Sequence, residues 1–118
     1  MKQDKEIINL GFQCFLDIRE QILYKDDQPI NLSKVEFKIL YFLGLHLSKP
    51  VSEEDLIKFV WKTKSVSLNY LYVCINRIRN KIEDDTKKPS CLLSLRGVGY
   101  ILYDRKNNKC LTSGRDRA

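Results

Sequence analysis

Histidine and tryptophan occur once each in this 118-residue chain, at His46 and Trp61, and there are only three prolines. With a single imidazole and no C-x-x-C among Cys14, Cys74, Cys91 and Cys110, no set of residues has the spacing of a metal site. The same scarcity removes the usual nucleophile–base arrangements, so neither catalysis nor a cofactor is expected. Long apolar runs are also missing. The best candidate, Ile39 to Leu45, falls far short of the roughly 18–20 residues of a membrane span. Met1 to Glu6 alternates in charge and leads to no small-residue cleavage site, unlike a secretory signal. These absences predict a soluble cytoplasmic chain, making no membrane contact of its own, with its thiols reduced and mostly buried.

What is present is an uneven distribution of charge. The net charge is +6, but residues 1–55 carry seven bases against ten acids. From Leu56 to Ile82 there are six bases (Lys58, Lys62, Lys64, Arg77, Arg79 and Lys81) and no acid. Glu83, Asp84 and Asp85 follow, and from Thr86 to Ala118 eight bases face two acids. An acid-free basic block suits a polyanionic partner, with a plain solvated face as the alternative.

Hydrophobic patterning divides the chain into three stretches. Between Glu6 and Leu32, short apolar runs broken by Gly11, Asp17 and Asp26-Asp27 predict an antiparallel meander. Ser33 with Glu36 forms a capping box, and Val35, Ile39, Phe42, Leu43 and Leu47 mark the buried side of a first helix. Ser48-Lys49-Pro50 breaks it. Ser52 with Asp55 opens a second helix that turns Leu56, Ile57, Val60 and Trp61 inward. A third begins near Ser67 and runs to about Ile82, its core side set by Leu71, Ile75, Ile78 and Ile82. Two strand-like runs around Arg96-Gly97-Val98-Gly99 then predict a β-hairpin. Residues 1–104 form the predicted domain, and 105–118 a flexible basic tail or linker.

The outward side of the third helix carries Asn69, Val73, Asn76, Arg77 and Asn80, flanked by Tyr70, Tyr72 and Lys81. Asparagine is a mediocre helix former, so three on one face are poorly explained by helix stability. Their amides suit base edges, as Arg suits guanine O6 and N7. Arg96 at a hairpin tip suits a narrow, electronegative minor groove.

In this order, Leu32-Ser33 with Glu36-Phe37-Lys38-Ile39-Leu40, Val51-Ser52, Val60-Trp61, Arg77-Ile78-Arg79, Lys81-Ile82 and Arg96-Gly97-Val98-Gly99-Tyr100 resemble the OmpR/PhoB-type winged helix-turn-helix domain over roughly residues 6–103. That resemblance implies an α+β fold: an N-terminal antiparallel sheet, three helices and a C-terminal hairpin wing. It implies a transcription regulator that binds double-stranded DNA, with residues 67–82 in the major groove and 95–100 in the minor groove. Asn69, Val73, Asn76, Arg77 and Asn80 would then meet bases, Val73 against a thymine methyl, which leans towards an A·T-rich site. Arg96 would enter the minor groove. Lys64, Tyr70, Arg79, Lys81 and Ser94 would meet the backbone, with Trp61 and Tyr100 added by the resemblance alone. Arg79, on the core side of its helix, is a candidate to pair with an acid.

Val60-Trp61-Lys62, Val66-Ser67-Leu68-Asn69 and the Glu83-Asp84-Asp85 to Lys88-Pro89 connection are similar to the ToxR/CadC-like one-component branch. That branch implies no upstream receiver domain and a membrane anchor beyond Ala118. RNA polymerase and a second copy on tandem sites are further partners the resemblance implies. A protein-interaction module with little DNA specificity is the rival reading.

Overall fold

Four strands too short to stand alone open the molecule: β1 (Ile7–Asn9), β2 (Cys14–Asp17), β3 (Ile22–Lys25) and β4 (Gln28–Asn31). They pair antiparallel in chain order, as the punctuated runs predict. The computed structural model describes residues 6–62 and 66–107. Ile8, Leu16, Leu23 and Ile30 lie in register across the sheet and face the core. On the other side Phe15 stacks on Tyr24, with centroids 5.0 Å apart. Asp26 and Asp27 make the two-residue turn between β3 and β4, both with positive φ (53° and 67°), the geometry that matches strand twist.

Three helices follow, α1 (Lys34–Leu45), α2 (Glu53–Trp61) and α3 (Leu68–Ile82), and α1 packs on β1. Each begins on a serine. Ser33 Oγ accepts from the Glu36 amide at 3.1 Å while Glu36 Oε1 accepts from the Ser33 amide at 2.9 Å, which completes the capping box. Ser52 accepts from the Asp55 amide and Ser67 from the Tyr70 amide. Such caps contribute about 1 kcal/mol each. On α3 the expected core set is buried as predicted, joined by Cys74. The expectation for α1 needs correction. Ile39 and Leu43 are fully buried, but Val35, Phe42 and Leu47 are half-buried, and Phe37 and Leu40 take the inner places. This helix packs against β1, α2, α3 and β7 (Gly99–Leu102) together, so its buried stripe is wider than one spacing pattern. Trp61 is likewise half-buried, while Leu56, Ile57 and Val60 are buried. His46 is the C-cap residue of α1, its Nδ1 2.9 Å from the Phe42 carbonyl oxygen.

A second sheet joins the helices to the hairpin. β5 (Val51–Ser52) pairs with β7 (Gly99–Leu102), which pairs with β6 (Leu92–Leu95), all antiparallel. Sequence patterning misses β5, because Val51 and Ser52, one following a proline and the other capping α2, have no periodicity. Gly99 is required there: its φ is 151°, and a Cβ would sit 2.0 Å from the Val51 carbonyl oxygen.

Two ion-pair systems lock the parts together. Lys81 near the end of α3 donates to Glu36 Oε1 at 2.6 Å and to the Asn31 carbonyl at 2.8 Å. Burial alone would raise the Glu36 pKa, but the hydrogen bonds from Lys81 and the Ser33 amide outweigh it and hold the carboxyl below its usual range. The second system is Arg105. The expectation that a loose tail starts at residue 105 is corrected here, since Arg105 is only 9% exposed. Its amide donates to Leu10 and its carbonyl accepts from Phe12, bridging beside Gly11 (φ 110°), where a Cβ would lie 2.1 Å from the Arg105 nitrogen. The guanidinium makes five hydrogen bonds: two to Asp26, two to Asp84 and one to the Phe12 carbonyl. Residues 108–118, including Cys110, lie outside the described residues. Cys14, Cys74 and Cys91 are buried free thiols. Burial pushes Cys14 to about 11 and Cys91 to about 12, so both stay protonated and unreactive at neutral pH.

Two predictions follow from these locks. Lys81→Met should cost about 2–3 kcal/mol in urea unfolding, less than the roughly 3–5 of a fully buried pair because the ammonium is partly exposed. The depressed Glu36 contributes stability above the ordinary carboxylate range and loses it as pH falls. The gap between parent and variant should therefore narrow on acidification, and a constant gap would rule this account out. Arg105→Gln should lower the thermal midpoint by several degrees. Hydrogen bonds from Arg105 hold Asp26 and Asp84 below the usual carboxylate range. The parent should accordingly lose this stabilisation below about pH 4, so that the gap between parent and variant narrows there.

Candidate nucleic-acid interface

With α3 fastened on its core side by Leu71, Cys74, Ile75, Ile78 and Ile82, the opposite side is left to solvent. Asn69, Asn76, Arg77 and Asn80 are all exposed, as are Val73 at 42% and Tyr72 at 51%. The five residues expected to meet bases therefore share one open face. No acid stands in the first turn, and Ser67 caps the helix start. The positive end of the helix dipole is thus unopposed by any first-turn carboxylate. Arg77 makes no hydrogen bond or ion pair among the described residues, so its five donors remain available. Tyr70 is exposed, and its ring lies 5.5 Å from that of Trp61, tying the end of α2 to the first turn of α3.

The residues expected on the backbone divide into two groups. Ser94 is exposed on β6, and Arg96 is exposed at the turn between β6 and β7 beside Gly97 (φ 77°) and Val98. Lys64 lies outside the described residues. Lys81 instead has its ammonium on Glu36, as described above. Arg79 is bound inside the molecule too, to neutral partners rather than the expected acid. Its Nε donates to the Leu92 carbonyl at 2.9 Å, one terminal nitrogen to Ser94 Oγ at 3.0 Å, and the other to Asn76 Oδ1 at 3.2 Å. Tyr100 is 3% exposed and belongs to the core. Its hydroxyl pKa is raised, chiefly by burial and then by the charge of Glu53.

Sequence reasoning missed two contributors. Glu83, just past α3, is buried and accepts from the amides of Ser90, Cys91 and Leu92, anchoring the start of β6 to the end of the helix. Reading it as part of an acidic run hid this, since nothing local marks a carboxylate whose partners lie seven to nine residues on. Val98 is 51% exposed at the wing tip, an apolar side chain beside Arg96 whose only signal is its place between two glycines. Among the described residues no three His, Cys, Asp or Glu side chains gather as a metal site. No helix there is long and apolar enough to cross a membrane.

Comparison with known proteins places this geometry. The family model described as "Transcriptional regulatory protein, C terminal" matches residues 27–102. The probable transcriptional regulator ycf27 of Porphyridium aerugineum is 33% identical over 105 residues, 86% of this chain and 43% of that protein. The chain thus spans about two fifths of that relative's length. The response regulator DrrB of Thermotoga maritima, an OmpR/PhoB homologue, superposes with a TM-score of 0.74 at 32% identity, over 82% of this chain and 44% of that one. The DNA-binding domain of CpxR from E. coli gives 0.72 at 26% identity, over 84% and 97%. The meander, three helices and hairpin wing are those of these domains, and the chain belongs to the transcriptional regulatory protein C-terminal family, of the OmpR/PhoB winged-helix type.

Proposed function

We propose that this domain regulates transcription by binding double-stranded DNA in a sequence-specific way, with α3 in the major groove and the residue 95–100 hairpin in the adjoining minor groove. Membership of a regulator family and the absence of a nucleophile–base arrangement argue for a binding domain rather than an enzyme. The observation that carries the reading is the acid-free solvent face of α3. It presents an unengaged Arg77 and three carboxamides beside an exposed Arg96. Asn69, Val73, Asn76, Arg77 and Asn80 are the proposed base-facing set, and Arg96 the minor-groove residue. Apolar Val73 and the amides favour an A·T-rich element.

For the DNA backbone, Tyr70, Ser94 and Lys64 are the proposed contacts. Trp61 and Tyr100 act mainly through packing, which holds the helix start and the wing in place. The internal partners of Lys81 assign it to the fold, and Arg79 is treated below. Promoter binding implies residence in the cytoplasm. The ToxR/CadC-like branch, with a membrane anchor beyond Ala118, rests on segments 60–69 and 83–89 alone, whereas the likeness to DrrB favours a receiver-linked relative equally. The full-length reading frame separates the two. A second partner, RNA polymerase, is proposed for the surface around Val66, where Ile57, Val66 and Leu68 line a pocket with Glu53 and Glu54. Docking of a second copy on tandem sites is testable by the stoichiometry of the DNA complex.

Arg77→Ala should cost about 1–3 kcal/mol on a selected duplex and relax preference at one base pair. Arg96→Ala should weaken binding most on duplexes with a narrow A·T-rich minor groove, and should flatten the salt dependence. Fluorescence anisotropy on selected and random duplexes across a salt series measures both. If both variants matched the parent on both duplexes, the α3 face and the wing would not be the interface. If the parent itself showed no salt-dependent binding at micromolar concentration, the domain would be a protein-interaction module.

A further inference from the structure

Arg79 is the one cation on α3 that touches both a proposed base-facing side chain and the wing. We propose that it is a positioning residue: it holds the Asn76 carboxamide and strand β6 in one frame instead of contacting DNA itself. This rests on the proposed DNA-facing role of α3.

The guanidinium is planar, with its donors in fixed directions, so three simultaneous acceptors define its plane. One of them, the carbonyl of fully buried Leu92, belongs to the core and is a fixed reference point. A second, Ser94 Oγ, belongs to an exposed residue of the same strand. The third is Asn76 Oδ1, one helical turn before Arg79. An exposed asparagine on a helix is otherwise free to rotate and to turn its amide end for end. A guanidinium only donates, so it selects the orientation with Oδ1 towards itself. The Asn76 amino group is then directed away from Arg79, presenting N–H donors to the DNA. The complementary group is an acceptor: a purine N7, guanine O6, thymine O4 or a phosphate oxygen. Fixing that orientation before binding removes an ordering cost that would otherwise fall on the complex. It also couples the height of the wing to the amide, since both hang on one side chain.

The test is a double-mutant cycle with Arg79→Lys and Asn76→Ala, measured by anisotropy on a duplex selected from a random-core library by the full chain. Lysine keeps the charge but cannot span three acceptors. Arg79→Lys should weaken binding by about tenfold in the parent and less than twofold in the Asn76→Ala background, with the salt slope unchanged. A second variant, Ser94→Ala, removes one tether without altering charge. Its penalty should be smaller and, because it also removes the backbone contact proposed for Ser94, should shrink without vanishing when Asn76 is absent; an equal penalty in both backgrounds overturns the proposal, and this arm decides the matter if Arg79→Lys melts below the assay temperature. Replacing the facing purine by its 7-deaza analogue, or the facing phosphate by methylphosphonate, identifies the acceptor, since only the true partner abolishes the Asn76 contribution. An undiminished Arg79→Lys penalty in the Asn76→Ala background, with a salt slope lower by about one, would make Arg79 a direct phosphate contact and overturn the proposal. So would an Arg79→Lys variant that binds like the parent. If Arg77→Ala is harmful while the cycle is additive, only this inference fails; if Arg77→Ala is also harmless, the α3 reading itself fails.

Discussion

The polar residues at the end of α3 tie that helix to almost everything else in the domain. Arg79 reaches β6, Lys81 reaches α1 and the end of β4, Glu83 gathers the amides that begin β6, and Asp84 shares Arg105 with Asp26. An amphipathic helix with only an apolar stripe can rotate or slide a little on its neighbours. Directional charge-assisted bonds to four different elements remove that freedom. Because they cluster at the C-terminal end, the first three turns of α3 project from a fixed base with their outer face unobstructed.

This arrangement divides the positive charge of α3 into two populations with different work. Lys81 and Arg79 neutralise or organise internal groups, so their contribution to an external field is reduced. Arg77, two residues before Arg79, turns outward and keeps its donors. A total of basic residues on this helix therefore overstates what is available to a polyanion. Glu36 shows the same economy from the other side, because one carboxylate serves both the cap of α1 and the anchor of α3. Its position in a capping box is a local matter; its partnership with Lys81 exists only in the folded chain.

Much of the fold was legible because its signals are local. Serine caps, the i, i+4, i+7 pattern of Leu71, Ile75 and Ile78, and strand runs bounded by turn residues depend on near neighbours. The solvent face of α3 followed from the same periodicity, so Asn69, Val73, Asn76, Arg77 and Asn80 could be found together. Strand β5 escaped notice because two residues carry no period, and its existence depends on Gly99 letting the backbones approach. Arg105 escaped because a basic, polar segment looks like a tail until its partners, Asp26 and Asp84, are seen beside it. The inner places of α1 escaped because four elements, β1, α2, α3 and β7, converge on that helix.

The amino-acid sequence by itself determined which residues form helices, which side of α3 is apolar, and that its second half is basic. Those properties arise from backbone propensity and short-range periodicity. Only the tertiary structure decided which charges are consumed internally and which remain for a partner. Ion pairs such as Lys81–Glu36 and Arg105–Asp84 join residues 45 and 21 positions apart, and no local pattern encodes their meeting.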